Sequence, residues 1–231
     1  VNSLGAAAGA VRDVLVGGAQ VVAVALASPV LRRRYNRWGA GDDEAAAPMP
    51  GDELVPAPLL GYTRALTIGA PVAAVWPWLV QLGQGRGGLY SYDALENLVG
   101  CRIRSADRIL PAHQHLAPGD LVRLGPPGYP CFRVADVAPP TALVLVGADP
   151  RPPNEAPAPG APGGAATWQW LLSPLDGGRA TRLVVRQRLT YPARLALLWR
   201  VVEPIAFVME RRMLLGIRRR AQAAAPGPPV A

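Results

Sequence analysis

At 231 residues, half of them hydrophobic, the chain has enough apolar surface to fill one substantial core, which excludes wholesale disorder. All 24 basic residues are arginine, and they set the formal net charge of +8. Such a charge attracts anionic surfaces, but the arginines are spread along strand and helix patterns with no nucleic-acid motif around them, so no nucleic-acid partner is expected.

The first element is apolar. Val14 to Leu31 carries no charged residue, and as a helix it would extend roughly 27 Å at about 1.5 Å per residue, near the thickness of a bilayer core. Arg32, Arg33, Arg34 and Arg37 follow it, while only Arg12, beside Asp13, precedes it; this asymmetry places the rest of the chain on the cytoplasmic side of a single-pass anchor in the cell membrane. Two other readings stand beside the anchor. The Ala- and Gly-rich composition and Pro29 also suit a helix packed on a soluble, cytoplasmic domain, and Ala25-Leu26-Ala27 has the small-x-small shape of a signal-peptidase site.

From Gly39 to Pro58 there is no sustained apolar periodicity, which reads as a tether or an arm lying on the domain. Thr63–Ile68 alternates and is β-branched, giving a first strand. Pro71 then suits the first turn of a helix carrying Val72, Val75, Trp76, Leu79 and Leu82, which Pro77 bends. Asp93–Val99 reads as a second short helix ended by Gly100. Strand patterns return at Asp120–Leu124, Cys131–Val137, Ala142–Val146, Thr167–Leu172 and Thr181–Thr190, separated by turn residues, which predicts a mainly antiparallel sheet of hairpins. A long helix runs from Pro192 to about Ala224 with an apolar stripe of Leu195, Leu198, Val202, Ile205, Met209 and Met213. Pro- and Gly-rich stretches at Pro152–Gly164 and Pro226–Pro229 read as flexible. The divisions are residues 1–36 as hydrophobic helix, 37–61 as linker or arm, 62–224 as one α+β ligand-binding domain and 225–231 as a disordered tail.

Two motifs fail on inspection. Gly83-Gln84-Gly85-Arg86-Gly87-Gly88 fits G-x-G-x-x-G with Asp107 downstream, but a helix precedes it and antiparallel hairpins follow, so it is no dinucleotide fingerprint. Cys101, His113, His115 and Cys131 match no compact zinc spacing, and the two cysteines are read as unbridged thiols; neither metal nor cofactor is expected.

Longer stretches carry a resemblance. Trp38-Gly39-Ala40 with downstream acids, PGDELVP (Pro50–Pro56), TRALTIGAP (Thr63–Pro71), VWPWLVQLGQGRGGLYSYD (Val75–Asp93), ENL (Glu96–Leu98), SADRI (Ser105–Ile109) and MERRMLLGIRRRA (Met209–Ala221) resemble bacterial proteins of the START-like, polyketide cyclase/dehydrase (SRPBCC) superfamily, in an uncharacterised, largely actinobacterial branch. The resemblance implies a helix-grip fold, a curved antiparallel sheet wrapped around a long C-terminal helix, with a hydrophobic pocket between them. It implies no established reaction and no catalytic residue.

The expected partner is therefore a small hydrophobic molecule or lipid, with a membrane met through residues 14–31. Pocket-wall candidates are Trp78, Tyr90, Tyr92, Trp168, Trp170, Val202, Ile205, Met209 and Met213, large or adaptable side chains suited to a cavity. Polar candidates for its mouth are Arg86, Asp93, Glu96, Asp107 and His113, with Arg86 placed to pair with Asp93 or Glu96. The alternative is a cyclase, dehydratase or hydrolase of a hydrophobic substrate, in which such an Asp, Tyr or His serves as general acid or base. Arg211, Arg212, Arg218, Arg219 and Arg220 on the last helix suit its negative dipole end and also lipid phosphates, but the dipole and solvation account for them without a partner.

Overall fold

The computed structural model describes residues 2–148 and 164–224. The tail after Ala224 and nearly all of the Pro/Gly stretch before Gly164 lie outside the described residues. The chain runs α1 (Asn2–Asn36), α2 (Asp42–Ala46), β1 (Leu60–Ile68), α3 (Val72–Val80), α4 (Asp93–Leu98), β2 (Leu121–Arg123), β3 (Cys131–Ala138), β4 (Ala142–Ala148), β5 (Ala166–Leu175), β6 (Ala180–Leu189) and α5 (Ala196–Ala224).

One six-stranded sheet has the order β1-β6-β5-β4-β3-β2. Strands β2 to β6 form an antiparallel meander, and β1 closes it by pairing antiparallel with β6, from Leu60↔Leu189 to Ile68↔Thr181. The first and second strands thus lie on opposite edges, and α3 and α4 carry the chain between them. A register shift between Val134 and Asp136 bends β3. The long α5 packs on the concave face, completing a helix-grip fold.

Each strand alternates around this arrangement. Leu66, Ile68, Leu143, Leu145, Trp168, Trp170, Leu183 and Val185 face inward and join α3 and α5 residues in the main apolar cluster. The opposite face is not left to water: the arm after α1 covers it, burying Met49 and Val55. Polar groups hold the arm in register, with Arg182–Glu44 at 2.6 Å, Arg186–Asp52 at 2.7 Å and Gln169 Nε2 donating to Pro50 O at 2.9 Å. Two-sided cover is why Thr167 and Gln169, on the outward face, are as inaccessible as the core.

The inward stripe of α5 differs from the predicted one. Glu203, Phe207, Glu210, Leu214, Ile217 and Ala221 are buried, at alternating spacings of four and three residues. Ile205 is 39% exposed, Val202 is half-buried, and Met209 joins a side cluster with Tyr35, Tyr92 and Phe207 rather than the sheet. Only Met213 of the predicted wall residues on α5 lies in the main core. Two glutamates occupy the inward stripe, so a frame chosen on apolarity alone rotates the helix. Pro204 lies within α5, near its start.

The glycine-rich turn brings α3 and α4 together. Gly83 and Gly88 form an antiparallel bridge, and Gly83, Gly85 and Gly88 all have positive φ, a conformation glycine adopts without penalty. No helix opens at these glycines, as a dinucleotide site would require. Buried Gln81 pins the following loop, accepting from Leu110 N at 2.9 Å and donating to Arg108 O at 3.1 Å.

Tyr90 crosses α5 at Gly216, where an added Cβ would lie 2.4 Å from Tyr90 O and 2.9 Å from its Cβ. Gly216→Ala should therefore cost about 1–3 kcal/mol by overpacking, despite the better helix propensity of alanine. Urea denaturation checks this; an unchanged or raised midpoint would show that the crossing yields.

Helix α1 continues unbroken to Asn36 and docks on α4 and α5. Gly17 lies against Tyr92 and Leu95, Tyr92 Oη donates to Gln20 Oε1 at 3.1 Å, and Arg212 approaches Asp13 at 3.7 Å. Within it, Ala7–Ser28 is long and apolar enough to cross a membrane, by length and composition.

Candidate functional site

Position 64 is the inward-facing centre of β1, and it holds an arginine of 0% exposure. An ionised group there must be matched, because desolvating a lone guanidinium costs several kcal/mol or more. Its Nη1 pairs with Glu210 of α5, its Nε donates to Tyr35 O at 3.0 Å, and its plane lies over the Tyr62 ring at 3.9 Å and near that of Phe207 at 5.0 Å. Glu210 in turn accepts from Trp168 Nε1 at 3.1 Å and from Gln187 Nε2 at 3.4 Å. Burial, reinforced by the negative charge of Glu210, drives the Tyr62 phenol far above its usual range, so it remains protonated.

Two turns earlier on α5, Glu203 is 2% exposed and accepts from two α1 side chains, Arg32 Nε at 2.9 Å and Asn36 Nδ2 at 2.6 Å. The hydrogen bond from Arg32 to Glu203 raises the arginine's pKa further. Two buried carboxylates of one helix are thus matched by arginines from β1 and α1. Among the described residues, Arg64 Nη2 and Asn36 Oδ1 remain without a hydrogen-bond partner.

Beside this network a cleft of about 400 Å³ opens at the β1 edge, between the end of α1 and the arm. Arg32, Arg33, Asn36 and Arg37 line one side, and Tyr62 and Gln187 line the inner end. These last two also touch Arg64 and Glu210, so the cleft meets the buried pair. A basic mouth leading to an aromatic and amide inner end fits an anionic group on a less polar body.

The residues singled out from sequence are distributed differently. Trp78, Tyr90, Trp168, Trp170 and Met213 lie in the main core, with Trp168 and Trp170 rings 4.9 Å apart and Trp78 edge-on to Tyr90 at 5.8 Å. Tyr90 accepts from Gln81 at 2.9 Å, and burial pushes its pKa up to about 12. Tyr92 belongs to the side cluster under α1. Arg86 pairs with neither Asp93 nor Glu96. Its Nη2 donates to the backbone carbonyls of Val80 at 2.8 Å and His113 at 3.2 Å, its buried Nε has no partner among the described residues, and burial lowers its pKa. Asp93 accepts from the backbone and hydroxyl of Ser105, at 2.6 Å each. Glu96 is 7% exposed, and burial together with the Asp93 charge pushes its pKa up to about 7. Asp107 is exposed, and His113 ends a short 3₁₀ turn. The five polar candidates therefore do not converge, and none lines the cleft.

Arg64, Glu203, Glu210, Tyr62 and Gln187 escaped the sequence reading. Their signal was present: Tyr62-x-Arg64-x-Leu66-x-Ile68 puts Arg64 on an apolar strand face, and the two glutamates continue a three-four apolar repeat.

No family model matches the chain, and no curated protein matches it. Solved structures do. A conserved protein from Geobacillus kaustophilus is 17% identical with a TM-score of 0.42, over 71% of this chain and 97% of its own. Protein NE0264 from Nitrosomonas europaea is 15% identical with a TM-score of 0.43, over 77% and 99%. DynU16, from the dynemicin biosynthetic locus, is 14% identical with a TM-score of 0.40, over 72% of this chain and 48% of its own. None of these likenesses bears on ligand or reaction.

Three of the arginines on α5 have local aromatic partners. Arg211 lies over Trp38, Arg212 over Tyr92, and Arg220 over Tyr90, with ring distances of 5.3, 5.0 and 4.7 Å. The thiol of Cys131 reaches Ala148 O at 3.2 Å, and Cys101 is half-buried. Among the described residues no group of three or more His, Cys, Asp or Glu could hold a metal ion.

Proposed function

We propose that the chain binds a small lipid-like molecule between the β1–β6 edge of the sheet and the helices, and that α1 keeps it at a membrane. The observation that carries the ligand reading is the continuity of the arginine-lined cleft with the inner face through Tyr62 and Gln187. An acidic head group is matched by Arg33 at the mouth, beside Arg37, whose Nη1 pairs with Asp42, and the apolar body meets Leu60 and Tyr62. The resemblance to START-like proteins, whose pockets are hydrophobic, agrees with this. The membrane part is supported by the Ala7–Ser28 segment and the arginines that follow it.

Binding is favoured over catalysis by the state of the nearby acids. Glu203, Glu210 and Asp52 are each held by arginine, so a carboxylate free to act as general base is not found beside the cleft among the described residues.

Titration with a dansylated long-chain fatty acid should give a saturable rise in emission, and the neutral alcohol analogue should bind on the order of tenfold more weakly, the worth of one charge-assisted contact. Gln187→Trp, which fills the inner end, should abolish the rise while leaving the melting temperature within a few degrees. A linear, non-saturating titration of the parent protein would remove the ligand reading.

A further inference from the structure

Helix α1 turns an apolar face away from the domain. Its docked side is mixed: Val21 and Val24 pack against the Tyr35, Tyr92 and Phe207 cluster, and beside them Asp13 lies near Arg212, Gln20 bonds to Tyr92, and Arg32 and Asn36 bond to Glu203. Its outward side carries Leu15, Val22, Leu26 and Val30, which are 66%, 58%, 78% and 84% exposed. With exposed Ala19, these residues recur every three or four positions, so they form one stripe, about 22 Å long at the helical rise. A stripe of that length exposes apolar side chains that water disfavours, and among the described residues nothing covers it.

The same contacts limit how α1 can meet a bilayer. Docking extends from Asp13 to Asn36, over most of the apolar segment. While it is docked, the sheet domain lies alongside the helix and would have to enter the hydrocarbon if α1 stood upright. An arrangement that keeps both the docking contacts and an apolar surrounding for the stripe lays α1 in the plane of the interface.

Charge identifies what lies against the stripe. Exposed Arg12 flanks its start, and exposed Arg33 and Arg34 follow its end; among the described residues none of these three enters an ion pair. A second copy is a poor occupant. Antiparallel pairing of two stripes sets Arg12 against Arg33 and Arg34 of the other copy, and parallel pairing sets each cluster against itself. An anionic lipid surface complements every one of them.

We infer that α1 lies flat on an anionic membrane, with Leu15, Val22, Leu26 and Val30 inserted among the acyl chains and the domain docked on its opposite side. This rests on the membrane reading above and goes further in fixing the orientation. It sets the arginine-lined cleft at head-group level, since Arg33 belongs to both cleft and interface.

The full chain should co-sediment with phosphatidylcholine vesicles containing phosphatidylglycerol, and less with phosphatidylcholine alone or at high salt. Val22→Glu with Leu26→Glu should weaken this on the order of tenfold or more with an unchanged melting temperature. To separate lying flat from spanning, Asp13→Cys and Arg212→Cys, in a Cys101→Ser background, are joined by a short bismaleimide that locks the helix to the domain. Undiminished vesicle binding by the locked protein supports the in-plane arrangement. Binding lost on locking overturns it while leaving the membrane reading intact. No vesicle binding by the parent chain overturns both, as does a stable dimer abolished by the same Val22 and Leu26 changes.

Discussion

Glu210→Leu is expected to destabilise the protein by about 3–5 kcal/mol, the range for stripping one partner from a buried ion pair. The effect should be lopsided. Without Glu210, Arg64 remains at 0% exposure with Tyr35 O and two aromatic rings as neighbours, and a guanidinium cannot shed its proton to escape. Without Arg64, as in Arg64→Met, Glu210 keeps its bonds from Trp168 and Gln187, so the loss should be smaller. The double variant should be more stable than Glu210→Leu alone, because apolar residues of similar volume replace a matched pair with little net cost. Urea denaturation of the three variants measures the coupling directly. Additive losses would mean that Arg64 and Glu210 stabilise the fold independently, contrary to the geometry.

Glu96→Gln is expected to stabilise the protein at pH 8 by about 3 kcal/mol and to change little at pH 4. Burial, then the neighbouring Asp93, raises the Glu96 carboxyl from its ordinary 4.5 to about 7. The group is an acid with an elevated folded-state pKa, so the sign is the reverse of a salt-bridged carboxylate. Below pH 4.5 both folded and unfolded chains keep the proton and stability is unaffected. Between 4.5 and 7 the unfolded chain releases it while the folded chain retains it, and stability falls as pH rises. Above 7 the penalty is complete, about 1.4 kcal/mol for each unit of displacement. A glutamine amide carries no charge to desolvate and escapes this loss. Denaturation midpoints of parent and variant should therefore coincide at pH 4, diverge up to about pH 7 and level off towards pH 8; a constant offset across that range would show that Glu96 titrates normally.

Both expectations concern acids whose environments the linear chain conceals. Strand positions were legible because side chains alternate: β1 and β6 and the meander between them follow from period-two patterns and the turns at Gly125–Gly128, Pro139-Pro140 and Asp176–Gly178. The long closing helix and the helix pair before the meander were legible from their period and their proline and glycine boundaries. These are local properties, set by backbone geometry over a few residues.

Other features depend on groups distant in the chain. Arg64 reads locally as a surface charge until Glu210, Tyr35 and Phe207 supply its counter-charge and its neighbours, and only that match lets a strand bury it. Glu203 and Glu210 reverse the apparent inward side of α5 for the same reason, which is why Ile205 faces water and Phe207 does not. On α1, hydropathy records an apolar segment but not which side is docked, since that depends on Arg212 and Tyr92 meeting Asp13 and Gln20. The cleft itself combines Asn36, Ala45, Tyr62 and Gln187 from four separate segments. Periodicity along a chain specifies which residues share a face; which charges can be buried on that face is decided by the partners that tertiary packing brings to them.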